Sequence, residues 1–225
     1  MPSVKRGGAA RHRLQIKIIP VDFISPDSFI SRRVMGFEST NCVVVWRKNV
    51  AVVVDPGGEA AKIVRFLKRR KLTVGAYWLT HAHPDHTGAL PELLKEFPAP
   101  IRYHKYDSWR RCFWRPCLSQ SKPFGGIRRI ACGDLQAKII HSPGHTPGSV
   151  CYWFEDDGVL LSGDTLFRKD DGDTVGRSAA NDLVNSLRKI LRRVPDDTKV
   201  VPGHDGVTTI GAERDFVRNL INQTE

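Results

Sequence analysis

The stretch THAHPDHTG, residues 80–88, places His81, His83, Asp85 and His86 within six positions of a chain that has eight histidines in 225 residues. Imidazole nitrogens and carboxylate oxygens are ordinary protein ligands of zinc, iron and manganese, and a bound cation relieves the cost of crowding them. At i, i+2 spacing His81 and His83 can point the same way from an extended turn. Asp85 and His86 lie past that turn and can serve a second ion.

Four further candidates each follow an apolar run directly: Asp55 in VVVDPGG, His145 in SPGHTPGS, Asp164 in LLSGDTLF and His204 in VVPGHDG. Strand ends deliver side chains to one rim of a sheet, where rigid backbone can hold them. Five histidines and two or three aspartates gathered at one rim amount to a metal site. The set contains no thiolate, so zinc, iron and manganese all fit it. A catalytic zinc commonly takes three protein ligands and a water, so six or seven ligands suit two ions rather than one. Asp164, with two oxygens to share, is the natural bridge.

The elements that must position these residues can be read from periodicity. Strands are expected over 14–19, 42–46 and 50–54, the last two as a hairpin pair, then over 74–79, 101–103, 136–140, 149–154, 159–162 and 200–202. Helices are expected over 59–71, with Ile63, Phe66 and Leu67 on one face, over 88–97, and over 181–193, where Leu183, Leu187, Ile190, Leu191 and Val194 form the stripe. Strand-rich segments interleaved with helices predict sheets covered by helices, an α/β (α+β) layered fold.

Composition sets the frame. A chain of 225 residues, 40% hydrophobic, can bury one sizeable core, and one domain over 14–225 after a basic tail over 1–13 is expected. The net charge of +11 permits nucleic acid, anionic lipid or acidic small molecules as partners without choosing among them. Much of it lies in two runs, Lys62, Arg65 and Lys68 to Lys71, and Arg188, Lys189, Arg192 and Arg193, which read as solvated helix faces. The five cysteines, Cys42, Cys112, Cys117, Cys132 and Cys151, are odd in number and form no CxxC pair. They argue against a disulfide framework and suit a reducing cytoplasm, with Cys112 and Cys117 outside any redox motif. No run is long enough for a membrane span, and no apolar secretory segment opens the chain. Lys5, Arg6, Arg11, Arg13 and Lys17, with no acid among the first 21 residues, leave organellar targeting open. Nothing in the sequence specifies an oligomeric state.

In order along the chain, HxHxDH at His81, His83, Asp85 and His86, PGHTPGS around His145, SGDTLF around Asp164 and PGH at His204 resemble the metallo-β-lactamase-fold superfamily, from about residue 16 to 220. The flanking text, VVVDPGG, HTPGSVCYW, Gly176-Arg177 and PGHDGVTTIGAER, is similar to the single-domain hydroxyacylglutathione hydrolase (glyoxalase II)-like branch. The resemblance implies a four-layer αββα sandwich with its site at the sheet edges. It implies that His81, His83 and His145 hold a first metal, that Asp85, His86 and His204 hold a second, that Asp164 bridges them and that Asp55 orients a ligand histidine. The implied cofactors are two divalent metal ions, zinc foremost, with iron or manganese as alternatives. The implied reaction is hydrolysis of a small anionic thioester of the hydroxyacyl-glutathione type by a metal-bridging hydroxide, with Asp85 or Asp164 handling the proton. No GxSxG motif offers a serine nucleophile.

Departures bear on substrate. Glyoxalase II proper has a C-terminal helical domain whose basic residues hold glutathione, and this sequence runs only to Glu225, so that clamp is not expected. Arg177 is followed by Ser178-Ala179-Ala180-Asn181 in place of the branch's glycine-rich acidic text. The segment 107–129, read as a loop, interleaves Trp109, Phe113, Trp114 and Phe124 with Arg110, Arg111, Arg115, Lys122, Arg128 and Arg129. Trp109, Phe113, Trp114 and Arg177 are candidates for a substrate wall that would suit an anionic thioester or single-stranded nucleic acid, against the plainer reading that the aromatics pack onto the core. His104 and His141 read as structural histidines, and His12 as part of the tail. A persulfide dioxygenase, with a single iron held by the counterparts of His81, His145 and Asp164, is the nearest alternative. A nucleic-acid phosphodiesterase would account for the charge, although the chain has no room for a large inserted domain. A metal-binding descendant without activity is disfavoured because no ligand is lost. Histidine rather than cysteine in the second set, and no export signal, argue against β-lactam hydrolysis.

Overall fold

The computed structural model describes residues 12–22, 39–108, 121–168 and 177–223. Two six-stranded sheets are present, each ordered as the chain runs or in its reverse. The first is β1 (Gln15–Val21), β2 (Thr40–Arg47), β3 (Val50–Val54), β4 (Thr73–Trp78), β5 (Ile101–His104) and β6 (Ser121–Phe124). The second is β12 (Thr208–Thr209), β11 (Lys199–Pro202), β10 (Val159–Gly163), β9 (Val150–Phe154), β8 (Leu135–His141) and β7 (Arg129–Cys132).

The strands show why two sheets stack. Val43 and Val45 of β2 point one way, into a cluster with Val52, Val54, Trp78, Tyr152, Phe154 and Leu161 that fills the space between the sheets. Cys42 and Val44 point the other way, onto helix α1 (Ala60–Arg69) and helix α3 (Leu90–Glu96), with Ile63, Leu67, Leu90 and Leu93. A strand buried on both faces must be apolar on both, and VAVVV of β3 is. On the far side, Cys151, Trp153, Leu160 and Val200 pack under Leu183, Leu187, Ile190 and Val194 of α4 (Arg177–Arg193) and Ile210 and Val217 of α5 (Ile210–Gln223). The layers are therefore helix, sheet, sheet, helix. This is the expected αββα sandwich.

Parallel pairing of β3 with β4, β4 with β5 and β10 with β11 aligns the carboxyl ends of those strands. The HxHxDH motif begins just beyond β4 and contains a one-turn helix, α2 (Pro84–Thr87). Asp55, Asp164 and His204 follow β3, β10 and β11, and the connection from β8 to β9 carries His145. The Val150 N–H donates to Thr80 O at 2.9 Å and the Tyr152 hydroxyl to Leu79 O at 2.8 Å, tying the two rims together.

Several expectations are corrected. The helix expected over 88–97 is α3, with the unexpected one-turn α2 before it, and the helix expected from 181 starts at Arg177. The segment 107–129 is not all loop, because β6 pairs in parallel with β5 and buries Phe124 between the sheets. Pro123 is tolerated there because β6 is an edge strand, as Pro20 is in β1. Trp109, Phe113 and Trp114 lie outside the described residues, as do Cys112, Cys117 and residues 1–11 of the basic tail. Arg177 opens α4. Cys42, Cys132 and Cys151 are free thiols, and no helix among the described residues is long and apolar enough to cross a membrane.

Candidate metal centre

All seven ligand candidates meet at the rim. Three overlapping groups place their ligand atoms within 4.8 Å of one another: His81, His83 and His145; His81, His86 and Asp164; and Asp85, His86 and His204. Asp164 stands between the outer two. Its Oδ2 lies 3.9 Å from His81 Nε2, 3.5 Å from His145 Nε2 and 3.4 Å from His204 Nε2, while its Oδ1 lies 3.4 Å from His86 Nε2. Asp85 Oδ2 lies 3.4 Å from His86 Nε2 and 3.3 Å from His204 Nε2. The Asp164 side chain is 6% exposed and that of Asp85 20%, so Asp85 faces the opening.

Backbone geometry allows this crowding. A Cβ on Gly203 would sit 2.1 Å from Asp164 Oδ1 and 2.7 Å from His86 Cε1, so only glycine lets the β11 loop approach the Asp164 carboxylate. Gly163, just before Asp164, has φ +51° and backs onto the Thr80 side chain. Asp55 itself takes φ +50°, an uncommon conformation for a non-glycine residue, and its side chain turns back under the motif.

Asp55 controls ring orientation on one side of the centre. Its Oδ1 accepts the Thr80 N–H at 2.8 Å and its Oδ2 accepts the Thr80 hydroxyl at 2.6 Å, with His86 Nδ1 3.2 Å from the same oxygen. Because the Thr80 hydroxyl proton is committed to Asp55, its oxygen is left to accept from His81 Nδ1, 3.2 Å away. That chain assigns the Nδ1–H tautomer to His81 and leaves its Nε2 lone pair facing the centre. His81 Nε2 is buried and has no hydrogen-bond partner among the described residues.

Electrostatics follow from the same distances. Burial, then His86, holds the His81 ring well below the usual imidazole range. His86 is pushed the other way: burial lowers it, but Asp164, Asp85 and Asp55 together hold it well above. His204, opposed by burial, is raised to about 10 by Asp164 and Asp85. Burial works against the charged form of Asp85, yet His86 and His204 bring it to about 2, and Asp164 lies well below the carboxylate range for like reasons. Ring nitrogens also face each other, His145 Nε2 to His83 Nδ1 at 2.8 Å and His86 Nε2 to His204 Nε2 at 3.3 Å. Nitrogens aimed at one another around a buried, unpartnered nitrogen fit divalent cations, and the imidazole and carboxylate donors suit zinc, iron or manganese.

Other expected residues fall elsewhere. His104 is buried and stacks on His141, centroids 4.3 Å apart and planes 20° apart, while His141 Nε2 lies 2.9 Å from Pro147 O. Burial, then His141 and Lys105, lowers His104 to about 4. The cations of α1 lie on its exposed face, and Arg192 and Arg193 of α4 are exposed. Sequence reasoning missed Thr80, Asn41 and Asp107, which are buried polar residues around the motifs. Asp107 stands shortly after an apolar strand, the signal that marked Asp55 and Asp164. Thr80 directly follows the apolar strand 74–79 and carries the same mark, whereas Asn41 does not.

Comparisons with known proteins agree with this fold. The family model described as Metallo-beta-lactamase superfamily matches residues 35–204. Hydroxyacylglutathione hydrolase GloC of Haemophilus influenzae is 30% identical over 190 residues, covering 77% of this chain and 89% of its own length. Among solved structures, the BLEG-1 B3 metallo-β-lactamase superposes with a TM-score of 0.72 at 32% identity, covering 92% of this chain and 99% of its own. TTHA1623 in a di-iron-bound form superposes with a TM-score of 0.69 at 26% identity, covering 87% and 96%.

Proposed function

This chain belongs to the metallo-β-lactamase superfamily of metallo-hydrolases, and on that premise we propose that it is a binuclear enzyme cleaving small anionic hydroxyacyl thioesters of the glutathione type. The observation that carries the reading is the position of Asp164, whose Oδ2 faces His81 and His145 of one group and His204 of the other, and whose Oδ1 faces His86. His81, His83 and His145 would hold one ion, Asp85, His86 and His204 the other, and Asp164 both. Similarity to GloC, a hydroxyacylglutathione hydrolase, supports the choice of thioester.

Two divalent ions bound there would lower the pKa of a water between them toward about 7 and polarise the acyl oxygen. The chain's own groups do the rest. Asp55 and Thr80 keep the His81 lone pair aimed inward, so the donor is preorganised. Asp164 is enclosed by imidazoles and serves as a fixed anion. Asp85, more exposed and facing His86 and His204 through Oδ2, has a second oxygen that can take the proton from the attacking water and pass it to the departing thiolate. The Phe167 ring, stacked beside His204 with centroids 6.3 Å apart, limits water on that flank.

The test is the initial rate of S-lactoylglutathione hydrolysis by protein reloaded with zinc, iron or manganese, with Asp85→Asn as control. A metal-dependent rate that falls at least about 100-fold in the variant supports the reading. No rate with two metals bound would overturn it. Because BLEG-1 is a B3 metallo-β-lactamase, a β-lactam belongs in the same assay. Likeness to ETHE1 from Myxococcus xanthus, at 25% identity and a TM-score of 0.64, favours a second reading, persulfide dioxygenation, for which a single bound iron and oxygen consumption are the measures.

A further inference from the structure

Two buried polar side chains outside the ligand set brace the ligand loops, one on each side of the centre. Asp107, fully buried just after β5, accepts the Ala82 N–H and the Thr146 hydroxyl on Oδ2, both at 3.0 Å, and the Gly148 N–H on Oδ1 at 2.9 Å. Ala82 lies between His81 and His83, and Thr146 follows His145, so one carboxylate joins the backbone of the two loops that present those three rings. The fit is close: a Cβ on Gly148 would lie 2.5 Å from the Asp107 carboxyl carbon. Asn41, at the start of β2, acts on the opposite loop. Its Nδ2 donates to Pro202 O at 3.1 Å and Asp205 O at 2.9 Å, and its backbone N–H donates to Gly203 O at 2.6 Å. Three carbonyls flanking His204 are held by one residue of the other sheet.

The hydrogen bonds are segregated. Asp107 ties the turn between His81 and His83 to the loop of His145, and the Asn41 side chain grips the loop of His204. We propose that Asp107 and Asn41 are positioning residues that set the affinity of the two halves of the centre separately, Asp107 for the His81, His83 and His145 ion and Asn41 for the Asp85, His86 and His204 ion. The inference rests on the proposed ligand assignment. Its physical basis is that groups fixing ligand orientation are worth about 10- to 100-fold in metal affinity without touching the metal. Asparagine is not a substitute for Asp107, because one carboxylate oxygen would become an NH2 facing N–H donors.

Zinc affinity, measured by competition with a chromophoric chelator, tests this in two single-site backgrounds. His204→Ala should retain the first ion and His145→Ala the second. In the His204→Ala protein, Asp107→Asn should weaken zinc about 10- to 100-fold, and the milder Thr146→Val should weaken it in the same direction. In the His145→Ala protein both should leave the affinity within about threefold. Asn41→Ala and the near-isosteric Asn41→Asp should show the reverse pattern. Equal weakening in both backgrounds would mean general destabilisation and would overturn the proposal, as would no weakening in either. If neither His204→Ala nor His145→Ala lowers the zinc stoichiometry from two to one, the ligand assignment itself fails and the inference fails with it.

Discussion

Asp55 makes more contacts within the centre than a single orienting bond, since it serves Thr80 through both oxygens and faces His86 as well. Its removal leaves buried donors without an acceptor, each costing about 1–3 kcal/mol. Asp55→Ala is therefore expected to lower zinc affinity at least about 10-fold and to destabilise the fold. Chelator competition and thermal unfolding on the same sample check both, and unchanged affinity would show that Thr80 orients His81 unaided. The titrating groups make a second expectation. In the metal-free protein His204 holds its proton up to about 10 against 6.5 unfolded, so its contribution is complete below 6.5 and fades as pH rises toward 10. His81 is displaced the other way, and stability is lost as pH falls below 6.5 because the unfolded ring takes a proton that the buried ring refuses. Asp85, held at about 2 against 3.8, adds a further loss as pH falls below 3.8 toward 2. The cluster's contribution to metal-free stability should peak near pH 6.5, whereas zinc uptake, which displaces imidazole protons, should keep tightening from pH 6 to 8. Unfolding midpoints across pH with a chelator and with zinc should diverge above pH 6.5, and parallel curves would refute the assignment.

At the level of elements, the strands do the positioning and the helices cover their outer faces. β3, β4, β10 and β11 end at one rim because they pair in parallel with their neighbours in sequence order. Gly203→Ala probes how closely the β11 loop must approach, since its methyl would meet Asp164 and His86 rather than solvent. The expected outcome is a cost of about 1–3 kcal/mol and loss of one or both metals, read by unfolding and metal analysis. As a contrast, Leu187→Ala on α4 removes a fully buried side chain from an apolar cluster that contains no candidate ligand. It should cost about 2–5 kcal/mol yet leave metal stoichiometry at two. Amphipathic α1 and α4 were legible because their apolar stripes repeat at helical spacing over ten residues or more. β6 and β7, four residues each, were not, since so short an edge strand takes its state from its neighbour's free hydrogen-bonding edge.

Across the whole molecule, the candidate ligands come from both sheets: His81, His83, Asp85 and His86 beyond β4, and His145, Asp164 and His204 from the second sheet's loops. Bound metal would therefore cross-link the sheets, and stripping it should lower the stability, and with it the unfolding midpoint, by an amount that grows with metal concentration, about 2.7 kcal/mol of stability at 100 times Kd. A midpoint indifferent to chelator would place the metal elsewhere. The donors themselves, their succession along the chain and their location after apolar strands were all legible in the residue order, because hydrophobic period and motif spacing are local properties. Residue order did not say that Asp164 would lie between the two histidine groups, that Thr80 would relay Asp55 to His81, or that Asp107 and Asn41 would grip opposite loops. Those relations join positions from 25 to 164 residues apart in the hydrogen bonds of Asp107 and Asn41, and all but the shortest run between the sheets. Such distances are closed only when two sheets pack face to face, and the register of that packing comes from side chains of the entire core acting together.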